Sequence, residues 1–124
     1  MATNYTAKQL CELAAELDAM AEALPVDAPG GEGKEYYKWC QALGGAASNL
    51  RLMAVQDIMA DTSDPLSEII LATSEAKRTI ARLKKFTRSV ELIGDVLLLS
   101  TVIWLRKWSL VSPTFKELRA DLKG

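Results

Sequence analysis

The chain contains no histidine. That absence removes the commonest base at neutral pH, the histidine-containing zinc motifs, and the Ser-His and Cys-His nucleophile pairs. Cysteine is scarce: Cys11 and Cys40 are the only two. They make no disulfide framework and neither has a visible activating partner, so both read as free thiols of a reducing compartment. Also missing is an apolar run long enough for a bilayer. The most apolar segment, Val96 to Leu105, has ten residues, or about 15 Å of helix against ~30 Å of hydrocarbon. Extending it backwards brings in Asp95 and Glu91, which are costly at a bilayer centre. Met1-Ala2-Thr3-Asn4-Tyr5 lacks the basic start and apolar core of a secretory signal, giving the expectation of a cytoplasmic protein. No segment alternates with a strand period, and no internal repeat is evident.

What is present is helical patterning. The 124 residues are 49% apolar and 25% charged, the proportions of one globular domain rather than a disordered chain. Thr6-Ala7-Lys8-Gln9 fits a capping box. Leu10, Leu13, Leu17, Met20 and Leu24 then follow at spacings of three and four, the stripe of a packed helix over about 6–24. Pro25 ends it, and Pro29, Gly30, Gly31 and Gly33 mark 25–33 as a flexible loop. Although Gly30-Gly31-Glu32-Gly33-Lys34 superficially resembles a phosphate loop, it lacks the full spacing, the preceding strand and the Ser or Thr after lysine. A second helix is predicted over 34–60, with Gly44 and Gly45 marking a close helix approach or a bend.

Asp64-Pro65 and Ser112-Pro113 each read as a cap followed by a first-turn proline. They open a third helix (65–88) and a short last one (113–122). No proline or glycine separates the third helix from a fourth (89–110), so a bend is placed at Thr87–Ser89, because one continuous helix would be unusually long. The expected fold is an all-α, compact four- to five-helix bundle forming a single domain over 1–124.

Charge is the strongest signal. Residues 1–64 hold 4 Lys+Arg against 10 Asp+Glu and residues 65–124 hold 11 against 6, so the halves carry −6 and +5 within a net −1. An internal contact between acidic and basic helices is the first expectation from this split. Lys77, Arg78, Arg82, Lys84, Lys85 and Arg88 have no acid among them and fall within about 160° of helical arc. Trp104 and Trp108 bracket Arg106 and Lys107 directly after the apolar segment, an arrangement of binding hot spots and of membrane interfaces. These ten residues are the candidate partner-binding set.

The carboxylate pairs Glu12/Glu16, Asp18/Glu22 and Asp57/Asp61 sit one helical turn apart. They match no calcium-loop pattern and read as surface acids. No catalytic, cofactor or metal site is expected. The expected function is non-enzymatic protein binding, as an adaptor, inhibitor or assembly subunit whose partner is another protein or a second copy of the chain. The alternatives are a membrane surface met by 96–105 and nucleic acid met by the basic arc, the latter disfavoured by an isoelectric point near 5.5.

Overall fold

The computed structural model describes residues 2–83 and 85–124. Lys84 and the side chain of Leu83, both assigned to the third helix above, lie outside the described residues. Five helices and one small strand pair form an all-α bundle.

The first helix, α1 (Ala7–Ala23), begins at the capping box. The Thr6 hydroxyl accepts from the Gln9 amide at 3.1 Å, and the Thr6 amide donates to Gln9 Oε1 at 3.3 Å. A further first-turn amide, that of Ala7, donates to Asp57 Oδ1 at 2.8 Å from far along the chain. Leu10, Leu13, Leu17, Met20 and Leu24 are all buried, as their spacing requires.

The second helix, α2 (Gly31–Met53), starts earlier than expected and stops at Met53 rather than near residue 60. The loop therefore shortens to 24–30, and it folds back with the Val26 amide on the Leu24 carbonyl and the Ala28 amide on the Pro25 carbonyl. Beyond α2 the chain becomes extended. Strand β2 (Ile58–Ala60) pairs antiparallel with β1 (Thr3–Tyr5), with Tyr5 opposite Ile58 and Thr3 opposite Ala60. This corrects the reading that no strand exists: three residues are too short to show a period, and Ile58 fits a helical stripe equally well. Gly44 and Gly45 sit in unbroken helix with nothing within 4 Å of where a Cβ would stand, so of the two readings, a close approach or a bend, the close approach is absent.

Helix α3 (Leu66–Leu83) begins after Pro65 as expected. Helix α4 (Phe86–Trp104) begins before the predicted bend: Lys85 is extended at φ −93°, ψ 119°, so the break precedes Thr87–Ser89. It also ends well before residue 110. Arg106 takes φ +56°, its amide donating to the Ile103 carbonyl and the Lys107 amide to that of Val102. This is a Schellman ending with arginine where glycine is usual. A 3₁₀ turn (Trp108–Leu110) then leads directly into α5 (Val111–Lys123). Ser112 is therefore not a cap, and Pro113 lies in the first turn, where its missing amide costs no helical bond.

Consecutive helices alternate in direction. The strand pair joins the start of α1 to the end of α2, making them an antiparallel hairpin. Tyr5 meets Asp64 and Glu16 meets Lys77, offsets of 59 and 61 residues that set α3 parallel to α1. Tyr36 packs edge-on to Phe86 at 5.3 Å near the starts of α2 and α4, and Asn49 and Trp104 line one groove near their ends, so these two are parallel. Helix α5 returns along α4, with Arg88 donating to the Asp121 carbonyl. The ribbon thus closes one end of the bundle, and the α3–α4 junction lies at the other.

Two glycines of α2 separate steric need from tolerance. A Cβ on Gly33 would stand 2.6 Å from the Ala28 carbonyl oxygen and 2.7 Å from that of Val26, both backbone. Gly33→Ala should therefore destabilise the fold by about 1–3 kcal/mol, whereas Gly45→Ala should stabilise it by about 0.5–1 kcal/mol. Urea unfolding of the two variants beside the parent checks both signs.

Candidate functional site

The basic arc does not act as one surface. Lys77 turns inward to Glu16 on α1 at 2.9 Å, and both side chains are about three-quarters buried (27% and 24% exposed). Arg88, half-buried, is held by the Asp121 carbonyl. Arg78, Arg82 and Lys85 are exposed. Arg78 donates to Ser74 Oγ at 3.3 Å, and among the described residues none of the three pairs with an acid. Lys84 lies outside the described residues. The acidic and basic helices thus do meet, as the charge split suggested, through the Glu16–Lys77 bridge.

The tryptophan group stands elsewhere. Trp108 is half-buried with its ring edge-on to Tyr5 at 5.7 Å and 83°, closing the ribbon end of the core. Trp104 is also half-buried, while Arg106 and Lys107 are exposed on the turn made by the Schellman ending. Lys85 precedes α4 and Arg106 follows it. Nineteen residues of helix, about 28 Å, separate Lys85 from Arg106, so the exposed candidates of the arc and those of the tryptophan turn lie toward opposite ends. Of the Val96–Leu105 segment, Val96, Leu99, Ser100, Val102 and Ile103 are buried. Half of the segment is thus buried, Leu97 and Trp104 pack against the core, and among the described residues no helix is long and apolar enough to cross a membrane.

On the outside of α3 the arc continues into charge of the other sign. Glu68, Leu71 and Glu75 precede Arg78 and Arg82, and all five are exposed. Leu71 is 67% exposed, one of several large apolar side chains on the surface, with Leu52, Val55 and Met59 exposed to a similar degree or more. Beside it runs a groove of about 390 Å³ between α3 and α5, lined by Glu68, Leu71, Ala72, Glu75, Arg119 and Leu122, among others. Arg119 bridges Glu68 at 3.4 Å across its end.

The carboxylate pairs noted in the sequence serve structure where the structure uses them. Glu16 holds Lys77, Asp18 holds Arg51 at 2.6 Å, and Asp57 caps α1. A different cluster forms between α4 and α5: one carboxylate oxygen each from Asp95, Glu117 and Asp121 lie within 4.8 Å of one another. These residues could share a proton or a divalent cation. They were not singled out above. The available signal was an acid beside the most apolar run of a helix together with two acids one turn apart, but only the antiparallel packing of α5 brings them together. Asp95 Oδ2 is buried with no hydrogen-bond donor among the described residues. Burial foremost, then a hydrogen bond shared with the Asp121 carboxylate and the charges of Asp121, Glu117 and Glu91, pushes its carboxyl up to about 7.

The Cys40 thiol is not activated. Cys40 donates to the Ala21 carbonyl at 3.0 Å, and burial pushes its pKa up, away from the reactive thiolate. The Tyr5 hydroxyl is likewise raised, by burial and then by Asp64. No family model matches the chain, and no curated protein or solved structure shows significant similarity to it.

The Asp95 cluster has a defined pH signature. The folded carboxyl keeps its proton to about pH 7, whereas the unfolded one loses it near 3.8, so the folded state binds more protons between these values. Its contribution to stability is full below about pH 4 and is lost as pH rises to about 7. Asp95→Asn should flatten this fall and be the more stable form above pH 7, as measured by denaturant unfolding across the range.

Proposed function

We propose that this protein is a non-enzymatic binding module, an adaptor, inhibitor or assembly subunit that docks another protein through the exposed cations at the end of α3 and the start of α4. The observation carrying this reading is the division within the arc. Lys77 and Arg88 are engaged internally, whereas Arg78, Arg82 and Lys85 stand exposed with no acid partner among the described residues. Cations in this state keep their hydration and long side-chain freedom until a complementary surface arrives, and their field speeds the encounter. The absence of histidine and the raised Cys40 thiol favour binding over catalysis.

The chemistry of the face also favours protein over phosphate. Arg78 and Arg82 share an exposed line with Glu68 and Glu75, and a phosphate backbone would be repelled by the second pair as it is drawn to the first. A protein surface offers both signs. Reversing the three cations together (R78E/R82E/K85E) should weaken capture of the protein partner about ten-fold or more while the circular dichroism of the helices stays unchanged. Capture by the folded triple variant at parental strength would remove the α3 cations as the docking surface.

A further inference from the structure

We propose that the partner is a second copy of this chain, docked by antiparallel pairing of α3 with α3 across a two-fold axis between Glu75 and Arg78. This rests on the reading above, that the exposed α3 face binds protein, and it names the partner. The exposed line Glu68, Leu71, Glu75, Arg78, Arg82 occupies about 80° of arc at 100° per residue, and every member is exposed. Its charges are ordered: both acids precede both cations along the helix.

An ordered line of this kind is complementary to itself only when reversed. In one antiparallel register Glu75 faces Arg78 of the second copy and Leu71 faces its Arg82. The two-fold axis then repeats both contacts. A parallel pairing would set acid against acid. The second contact has a place to go, because Leu71 and Glu75 line the groove between α3 and α5. An arginine laid there covers Leu71 with its alkyl stem and brings its guanidinium to Glu75. Within one copy these groups leave each other free: Arg78 turns to Ser74, and Glu75 enters no ion pair among the described residues. Glu68 holds Arg119 only across a surface bridge with both side chains 51% exposed, which is readily shared.

The contact is small. Helix α3 has 18 residues, about 27 Å of length, so one helix pair with a groove edge lies at the low end of specific interfaces. The dimer is accordingly weak, in rapid exchange and sensitive to salt.

Sedimentation equilibrium of the full chain tests this. At low salt and high protein concentration the parent should form a dimer that dissociates as salt is added. Glu75→Arg and Arg78→Glu should each weaken the dimer about ten-fold or more. An equimolar mixture of these two variants should restore it, since every charge contact in the mixed pair is again between opposite signs. Glu75→Lys with Arg78→Asp provides a second complementary pair should one variant fail to fold, as judged by circular dichroism. A parent that stays monomeric at low salt, or folded reversed variants that regain no dimer on mixing, would overturn the inference. If the parent is monomeric while the triple cation reversal still loses a protein partner, only the identity of the partner is wrong. If neither responds, the α3 face is not a docking surface at all.

Discussion

Tyr5 is the residue on which the arrangement of the bundle depends. It is fully buried, its backbone pairs with Ile58, its hydroxyl donates to the Asp64 carbonyl at 2.9 Å, and its ring receives the edge of Trp108. One side chain thereby joins the lead-in to α1, the segment after α2, the start of α3 and the turn between α4 and α5. The Asp57 cap on α1 sits in the same knot. Helices packed only by apolar stripes are free to slide by a turn. Directional hydrogen bonds and a three-residue strand register are not, so the ribbon end sets the relative heights at which charged side chains on neighbouring helices meet.

That setting explains the internal fate of the cations. With α3 parallel to α1 at an offset near sixty residues, Lys77 arrives beside Glu16, and the bridge forms where both side chains are largely covered. Arg78 is rotated by about 100° from Lys77 and faces away. The antiparallel return of α5 along α4 similarly brings the Asp121 carbonyl to Arg88 and the carboxylates of Glu117 and Asp121 to Asp95. One geometry yields an engaged lysine, an engaged arginine and an acid that holds its proton to about pH 7.

Local signals were the legible part of the fold. The Thr6–Gln9 box, the leucine stripe of α1 and the Pro65 start could be read directly, because each is written in residues a turn or less apart. The ribbon could not, since β1 and β2 have three residues each and exist only through each other. The end of α4 was missed because arginine takes the left-handed position that glycine normally announces, and the start of α5 because its Ser-Pro pair lies inside the helix instead of before it. Of the candidate site, the clean basic arc on α3 was legible from periodicity. Its division into engaged and exposed cations was not, because that depends on which helices lie alongside. Nor was the distance between the arc and the tryptophan turn, which the sequence brings close only in numbering.

The order of charges along α3 has a simple intrahelical explanation that accounts for part of it. An acid in the first turn and a base in the last offset the helix dipole, and Glu68 and Arg82 stand in those turns. The dipole's influence fades beyond a turn from each end. Glu75 and Arg78 lie in the middle of the helix, three residues apart and both exposed, yet they make no bridge to each other. Within one helix an acid three residues before a base gains about 0.2–0.5 kcal/mol when the two side chains meet, so this unbridged pair takes little reason for its order from helix stability. A reversed copy of the same helix does give one, because the central pair is where the two-fold axis would pass and where each charge meets its opposite at closest range.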